Sequence, residues 1–538
     1  MEPEDGGSNG VRTLVVGIDA ASEEVLQPLF ERGEVPALRE LFDQGASGAL
    51  ASTVPPWTPS AWPSMYTGTN PGKHGVFGFL AYDGYEWDVV DATHVRERPL
   101  WNVLDRHGLA SVVVNAPVTH PPKPFDGALL PGYVAPEDAA GHPAGVVDDV
   151  REALGGYRIY PPADPDLDDY RTLVRSRGEA FRWLVDRVEP AFGFLQFQAT
   201  DTVVHDTGGD REALAAVYRA VDRQVEAVLE TCDPDATVVV SDHGIGPYGG
   251  DEFRVNEFLR DRGFVESRRG GEGMPCWAGI RESELAERAD GTTEWLQRAL
   301  SALSTVGLTA QRIERVLSTV GLAETVAELV PTDAARAAAE QVDFAASQAY
   351  MRSRIECGVR INLEGREPDG VVPQSEYETV REELIDALSG VRTPDGEPMF
   401  ADVAPREAYF HGPEADRAVD VVTVPADYDQ FLSASLAGDW FGEPDEPWNH
   451  KFEGVFAARG SGIDEGAAVD GATLVDVAPT VLATLEIPVD ERMDGDVLPV
   501  ATPAGEEVYP EYDPGEPAGT DDAAVERRLS NLGYLEQP

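Results

Sequence analysis

Six side chains that can bind metal ions lie at or near the ends of predicted strands. They are three aspartates and three histidines: Asp19, Asp201, His205, Asp242, His243 and His450. A lone aspartate at a strand end most often caps a helix or turn, so each residue alone is a weak indication. Together they offer oxygen and nitrogen ligands for two divalent ions. Such mixed ligands suit Zn²⁺ or Mn²⁺ better than Mg²⁺ or Ca²⁺.

A candidate nucleophile lies in the stretch PPWTPSAWPSMYTGTNPGKHGVFGF, residues 55–79, whose composition is otherwise typical of a loop. A threonine or serine hydroxyl is a weak nucleophile at neutral pH, and coordination to a divalent ion can deliver it as an alkoxide. Pro56 and Pro59 bracket Thr58. A helix that starts there would direct backbone N–H groups at a phosphate. Ser60 is the competing hydroxyl, although capping of the helix is its expected role.

The elements that must position these residues alternate between strands and helices. The predicted buried strands are VRTLVVGIDA (11–20), LASVVVNAP (109–117), AFGFLQFQATD (191–201) and ATVVVSDHG (236–244). Helical spacing follows the first strand, with Ser22 as the expected N-cap, and recurs at 211–232 and at about 375–389. Asp201 and His205 would share one face of a helix that begins after the third strand. This alternation predicts an α/β fold with a mostly parallel central sheet and helices on both faces.

The pattern divides the chain into three expected parts. The α/β pattern covers 11–265 and resumes over 346–500, for example in GVRINLEGR (358–366) and AVDVVTVP (418–425), which indicates one discontinuous core. Residues 266–345 are rich in Ala and Leu at helical spacing, and we predict that they form a helical cap inserted into the core. Residues 501–538 are expected to form an acidic C-terminal tail.

The charge balance restricts the class of partner. The chain has 97 acidic and 42 basic residues, a formal net charge of −55, and only three of its basic residues are lysine. A field of this sign repels nucleic acid and anionic membranes, so we expect neither as a partner. The acidic residues are spread along the whole chain. This favours a protein from a high-salt cell interior, where screening limits repulsion to about 3 Å at 1 M salt, over an ordinary acidic enzyme.

The chain start and the cysteines predict a soluble, cytoplasmic protein. MEPEDGGSNG at the N-terminus is acidic and polar, so we expect no signal peptide. No apolar run approaches the roughly 20 residues of a membrane span. The cysteines Cys232, Cys276 and Cys357 form no C-x-x-C motif and predict no disulfide framework.

Five motifs, in this order, resemble those of the alkaline phosphatase superfamily. They are VVGIDA, PPWTPSAWPSMYTGTNPGKHGVFGF, QATDTVVHDT, VVVSDHGIGP and HKFEGVFAARGSGI. Within the superfamily the chain is most similar to the type I phosphodiesterase/nucleotide pyrophosphatase branch, over roughly residues 11–500. The ordered set is specific although no single motif is. The resemblance implies an alkaline phosphatase-like catalytic core that hydrolyses a small phosphate ester with two divalent metal ions.

The resemblance also implies a role for each candidate residue. One ion would be bound by Asp201, His205 and His450, and the other by Asp19, Asp242, His243 and the nucleophile. The family's nucleophile stands nine residues before the threonine of a Thr-Gly pair, and counting back from Thr67 gives Thr58. Attack by Thr58 would give a phosphothreonine intermediate, which water would then hydrolyse. Two ions about 4 Å apart can hold both the attacking and the leaving oxygen. Apart from the resemblance, the net charge repels an anionic substrate, so Lys73 and His74, nearby in the chain, are expected to add local positive charge for substrate binding.

One departure from the family pattern concerns the substrate. Nucleotide-cleaving members carry an Asn shortly after the His-Gly of this motif, whereas His74-Gly75 is followed by VFGF, ending at Phe79. Nucleotide specificity is therefore not implied, and the sequence leaves the substrate and the oligomeric state open.

The motifs argue against three other functions. A sulfatase is excluded because TPSAW lacks the C/S-x-P-x-R set of that class. A phosphotransferase of the mutase type would use serine as nucleophile and carry an inserted phosphotransfer domain, for which 266–345 is small and uniformly helical. A catalytically silent binding homologue is disfavoured because the full set of ligand-type residues is present.

Overall fold

A seven-stranded sheet lies at the centre of the chain. The computed structural model describes residues 10–162, 164–269, 340–444, 446–515 and 525–526. The strands of the sheet are β1 (Thr13–Ile18), β2 (Ala46–Ala51), β3 (Ser111–Val114), β4 (Gly127–Leu130), β5 (Phe192–Phe197), β6 (Ala236–Val240) and β7 (Glu453–Gly460). Their spatial order is β2-β7-β6-β1-β5-β3-β4. β7 runs antiparallel to both of its neighbours and all other pairs are parallel, which confirms the predicted mostly parallel sheet.

The helices of the described residues precede or follow these strands. They are α1 (Glu23–Arg32), α2 (Pro36–Gln44), α3 (Thr58–Thr67), α4 (Pro71–His74), α5 (Leu100–Arg106), α6 (Val146–Leu154), α7 (Leu167–Val188), α8 (Ala199–Thr207), α9 (Arg211–Cys232), α10 (Val255–Asp261), α11 (Tyr377–Ser389) and α12 (Val477–Thr484). The helices predicted at 211–232 and 375–389 correspond to α9 and α11. Ser22 occupies the N-cap position of α1, but its hydroxyl donates to the Ile245 carbonyl (3.1 Å) instead of capping the helix.

Helices cover both faces of the sheet, as predicted. Successive side chains of a strand point to opposite faces. On one face Val15 of β1 belongs to a buried cluster that includes side chains of α3, α5 and α12. On the other face Leu14 and Val16 belong to a cluster with α1, α2, α7 and α9. The central strands are therefore buried on both sides, which is why their sequences are almost continuously apolar.

The remaining strands form smaller sheets beside the central one. The strands predicted in 358–366 and 418–425 do not join the central sheet. They are Gly358–Ile361 and Val421–Pro425, which form a four-stranded antiparallel sheet with Ala349–Tyr350 and Phe400–Pro405. A three-stranded sheet contains Glu252–Arg254, Phe431–Ser433 and Phe441–Gly442. Two-stranded pairs join Leu80–Asp83 to Glu86–Val89 and Gly244–Pro247 to Trp448–Lys451.

The predicted cap and tail lie partly outside the described residues. The helical character predicted for 266–345 falls almost wholly there and stays a prediction. The two described ends of that segment are strands: Ser267–Arg269 pairs with Glu340–Val342 in antiparallel fashion. In the predicted tail, Glu506–Glu507 pairs with Val489–Asp490. None of the helices in the described part of the chain combines the length and apolarity of a membrane span.

Packing between β1 and α3 is tight, and this yields a prediction about stability. A Cβ at Gly17 would lie 2.5 Å from Cη2 of Trp62, a fully buried side chain. We predict that Gly17→Ala lowers the free energy of unfolding by about 1–3 kcal/mol, as overpacking of a core does. Thermal and denaturant unfolding in molar KCl measure this change.

Gly390→Ala is the matched control. A Cβ at Gly390 would lie no closer than 3.4 Å to its nearest neighbour, and the backbone is right-handed with φ −79°. The control should unfold at or slightly above the wild-type temperature. Equal stability of the two variants would contradict the predicted contact between β1 and α3.

Candidate active site

Adjacent strands bring the three predicted aspartates to one edge of the sheet. β6, β1 and β5 are neighbours, and Asp19 directly follows β1. Asp242 lies two residues after β6, and Asp201 lies in the first turn of α8, just after β5. All three carboxylates are fully buried. Because parallel strands end at the same edge, the order of the strands assembles this group of carboxylates.

The three predicted histidines lie against these carboxylates. His243 follows Asp242, and His450 lies in the strand Trp448–Lys451, paired with Ile245. That strand leads into β7, which runs antiparallel to β6 and so begins at the edge where β6 ends. The rings of His243 and His450 stack with centroids 3.6 Å apart. Asp201 and His205 lie one turn apart on the same helix, α8, as their spacing in the sequence predicted.

The ring nitrogens of two histidines show how they face the carboxylates. His243 Nδ1 lies 2.9 Å from the Gly244 carbonyl oxygen, and His450 Nδ1 lies 2.9 Å from the Pro56 carbonyl oxygen. A carbonyl only accepts, so each Nδ1 donates and each Nε2 presents its lone pair. His243 Nε2 lies 3.2 Å from Asp242 Oδ2 and 3.6 Å from Asp19 Oδ1. These Nε2 atoms therefore point at the carboxylates as metal ligands would.

Thr58 is the first residue of α3 and lies at the same place. It is fully buried, and its Oγ1 lies 3.4 Å from His243 Nε2. The helix is held there on both sides. Trp57, its N-cap residue, packs on His450 with centroids 4.2 Å apart, and the Trp62 indole N–H donates to Asp19 Oδ2 (2.9 Å). The hydroxyl, the histidine and the carboxylates thus form one buried cluster.

Ser60, the competing hydroxyl, does not cap α3. The N-cap position belongs to Trp57, and no side chain makes a capping hydrogen bond. Capping was therefore the wrong role for Ser60, because the helix begins two residues before it. Its buried Oγ has no hydrogen-bond partner among the described residues.

The electrostatics of the cluster favour a cation. Burial, followed by repulsion from the neighbouring carboxylates, raises the pKa of Asp19 and of Asp242 well above the usual value. Burial also opposes ionisation of Asp201, but attraction to His205 and His450 outweighs it and holds the pKa of Asp201 well below its usual value. Asp19 Oδ1 and Asp242 Oδ2 accept no hydrogen bond from the described residues.

The donor set fits divalent ions. Ligand atoms of Asp19, Asp242 and His243 lie within 4.8 Å of one another, as do those of Asp201, His243 and His450. His205 Nε2 lies 3.3 Å from Asp201 Oδ1. The cluster is thus close to the two ligand sets that the resemblance implied, with His243 placed between them. Open carboxylate oxygens and imidazole lone pairs are the ligands that Zn²⁺ and Mn²⁺ accept.

Lys73 and His74 make other contacts. Lys73 forms an ion pair with Asp494 (2.5 Å). His74 is fully buried beside Ser64, with Nε2 2.8 Å from Oγ, and burial lowers its pKa to about 3. A neutral imidazole adds no positive charge for an anion at pH 7. The predicted role of both residues in substrate binding stays a prediction, and these contacts give it no support.

The sequence patterns did not identify several residues that contact the site. Gln196 of β5 donates to Asp19 Oδ2 (2.7 Å), and a glutamine inside the apolar strand FGFLQF is a signal that could have been read. Trp62 and Glu446 carry no such signal. Glu446 lies 3.6 Å from His205 Nδ1 and 2.7 Å from an Arg354 nitrogen, contacts that only the folded chain makes.

Comparisons with known proteins concern the family and the fold of the chain. A family model described as type I phosphodiesterase/nucleotide pyrophosphatase matches residues 13–454. Among solved structures, phosphonoacetate hydrolase from Sinorhizobium meliloti in complex with phosphonoformate is 18% identical, with 88% of this chain and 95% of that chain covered and a TM-score of 0.56. Murine ectonucleotide pyrophosphatase/phosphodiesterase 5 in complex with AMP is 14% identical, with 89% and 95% covered and a TM-score of 0.49. Among curated proteins, none matches significantly.

The burial of neighbouring carboxylates yields a prediction for the metal-free protein. We predict that Asp242→Asn raises the unfolding temperature of the chelator-treated protein by about 2 °C or more, because it removes the cost of burying one of three neighbouring carboxyl groups. The asparagine oxygen can still accept from the Ala20 N–H, as Asp242 Oδ1 does at 3.3 Å. The same variant should gain less stability from added Zn²⁺ than the wild type.

Asp138→Asn, at an exposed position, is the control and should leave the unfolding temperature unchanged. A lower unfolding temperature for metal-free Asp242→Asn would show that its charge is compensated within the chain.

Proposed function

The chain belongs to the type I phosphodiesterase/nucleotide pyrophosphatase family, and we propose that it hydrolyses a small phosphate ester with Thr58 as the nucleophile and two divalent metal ions. Family membership indicates a phosphoester hydrolase of the alkaline phosphatase superfamily. One observation carries the finer proposal: a fully buried threonine hydroxyl, 3.4 Å from His243 Nε2, lies beside three buried carboxylates. A structural threonine needs no such surroundings.

The same residues would hold the metal ions. Asp201, His205 and His450 would bind one, and Asp19, Asp242, His243 and Thr58 the other. When bound, two divalent ions supply Lewis acidity for the phosphoryl oxygens and offset the three carboxylate charges. The mixed Asp and His donors support Zn²⁺, with Mn²⁺ as the alternative.

The chain's own residues position the reacting groups. Thr58 Oγ1 would attack phosphorus, so that a phosphothreonine forms and the ester alcohol leaves with a proton. Water would then cleave the phosphothreonine and restore the hydroxyl, which releases inorganic phosphate from a monoester or a phosphate monoester from a diester. Because Thr58 begins α3, the phosphoryl group would lie at the helix N-terminus, where the partial positive charge favours an anion. Trp62 and Gln196 would hold Asp19 in place throughout.

The substrate need not be a nucleotide. Phe79, at the place where nucleotide-cleaving relatives carry an asparagine, is a core residue, 1% exposed, with its ring 6.2 Å from that of Tyr133. It offers no hydrogen bond to a phosphate oxygen. We therefore propose a small phosphate ester, which need not be a nucleotide, as the substrate. Because of the net charge of −55, we propose neither nucleic acid nor membrane as a partner.

The amino-acid composition supports a salt-rich cytoplasm as the location of this activity. A net charge of −55 spread over the chain, with only Lys73, Lys123 and Lys451 as lysines, suits a protein in a salt-rich cytoplasm. Under those conditions long-range repulsion of an anionic substrate is screened. The local charge at the site then decides binding.

The nucleophile can be tested by substitution. We predict that Thr58→Ala lowers kcat for p-nitrophenyl phosphate esters by roughly 10³-fold or more, because it removes the hydroxyl that lies 3.4 Å from His243 Nε2. The assays would use mono- and diesters with Zn²⁺ or Mn²⁺ in molar KCl. In the wild type, acid quenching during turnover followed by mass spectrometry should place a phosphate on the peptide containing Thr58.

Ser60→Ala is the matched control, since it removes the other buried hydroxyl at the start of α3. It should keep most of the activity. Full activity of Thr58→Ala would refute the assignment of the nucleophile. Failure of the wild type to cleave any ester of the panel would favour the silent binding homologue.

A further inference from the structure

Glu446 is a carboxylate on which three side chains converge, two of them from distant segments of the chain. Its Oε1 accepts a hydrogen bond from an Arg354 nitrogen at 2.7 Å. Its Oε2 accepts from the Asn449 amide and lies 3.6 Å from His205 Nδ1. The Glu446 side chain is 20% exposed, whereas those of Arg354 and His205 are 3% and 2% exposed. Glu446 thus lies at the outer edge of the cluster, with its partners on the buried side.

The three histidines of the site differ in what holds Nδ1. Backbone carbonyls hold His243 and His450, at Gly244 and Pro56. His205 lies on a helix, where the backbone carbonyls are engaged by the helix itself, and its Nδ1 faces the Glu446 carboxylate. A carboxylate behind a metal-bound imidazole fixes the protonated nitrogen and raises the basicity of the other.

We propose that Glu446 is a positioning residue for His205: its carboxylate keeps the proton on Nδ1 and turns Nε2 toward Asp201 and the metal ion bound there. This inference rests on the proposed two-metal function and adds a residue to it. His205 Nε2 lies 3.3 Å from Asp201 Oδ1, on the side of the ring away from Glu446. The His205 imidazole thus lies between two carboxylates, with Glu446 at Nδ1 and Asp201 at Nε2.

Arg354 holds the Glu446 carboxylate in place. Its guanidinium lies 4.4 Å from the centroid of the Phe431 ring and 6.0 Å from that of Trp57, the residue before Thr58. The same guanidinium lines a cleft with Trp57 and His450. An arginine clamped between aromatic rings has few alternative rotamers, so it holds Glu446 at a fixed distance from His205. Asn449 fixes the second oxygen.

Zinc binding by the full-length protein tests the proposal. After chelation and dialysis, the affinity for Zn²⁺ would be measured by competition with a chromophoric chelator in molar KCl for the wild type, Glu446→Gln and Glu446→Asp. We expect the wild type to bind two ions. Glu446→Gln should still bind two, one of them with 10- to 100-fold lower affinity, which is the usual effect of losing such a partner. Glu446→Asp, which keeps the charge, should recover part of the loss.

The control is Glu414→Gln. The Glu414 side chain is also 20% exposed and pairs with an arginine, Arg417 at 3.3 Å, but it contacts none of the proposed ligands. Its zinc affinities should equal those of the wild type. Should Glu446→Gln fail to fold, Arg354→Gln replaces it, because it releases Glu446 while leaving the carboxylate in the chain. The expected effect is a smaller loss at the same metal site.

Three results would overturn the proposal, and they are distinguishable. Wild-type zinc affinity in Glu446→Gln, with a lowered unfolding temperature, would show that Glu446 only stabilises the fold. Loss of one bound ion, with a changed visible spectrum of the Co²⁺-substituted protein, would show that Glu446 binds the metal directly. A wild type that binds no Zn²⁺ would instead refute the proposed two-metal function on which the inference rests.

Discussion

Burial of three neighbouring carboxylates is the constraint on which the rest of this structure depends. Asp19, Asp201 and Asp242 are all fully buried at one edge of the sheet. Burying an ionised carboxylate is costly unless it is paired and hydrogen-bonded. The chain meets part of that requirement with N–H donors from Trp62 and Gln196 to Asp19, and from Ala20 to Asp242. The oxygens left over face imidazole lone pairs, which is an arrangement for cations.

Several elements of the fold position the residues of this cluster. The order of β6, β1 and β5 sets the aspartates side by side, and the antiparallel β7 brings His450 to the same edge. Gly17 lets α3 approach β1 closely enough for Trp62 to reach Asp19, and the same helix carries Thr58 at its start. Glu446 and Arg354 then reach the cluster from the side of the smaller sheets. The central sheet, helix α3 and the segments beside the smaller sheets thus each contribute residues to the site.

The sequence predicted those parts of the fold that depend on local pattern. Apolar runs located β1, β5 and β6, and the spacing of Asp201 and His205 indicated the first turns of α8. The order of strands in the sheet is not encoded locally, so the contact of Thr58 with His243, 185 positions along the chain, followed only from the family resemblance. Arg354 and Glu446 are 92 positions apart and look like ordinary charged surface residues. Capping by Ser60 was wrong because the helix begins two residues before it. Apolar spacing predicted the strands in 358–366 and 418–425, but which sheet they join depends on tertiary packing.

The most direct test of a two-cation centre is anomalous X-ray diffraction from crystals grown with Zn²⁺. Data collected at the zinc edge should show two strong peaks in each chain. One is expected among Asp19, Asp242, His243 and Thr58, and the other among Asp201, His205 and His450. Crystals that contain zinc elsewhere on the surface but no peak within this cluster would contradict the two-cation account of the buried carboxylates.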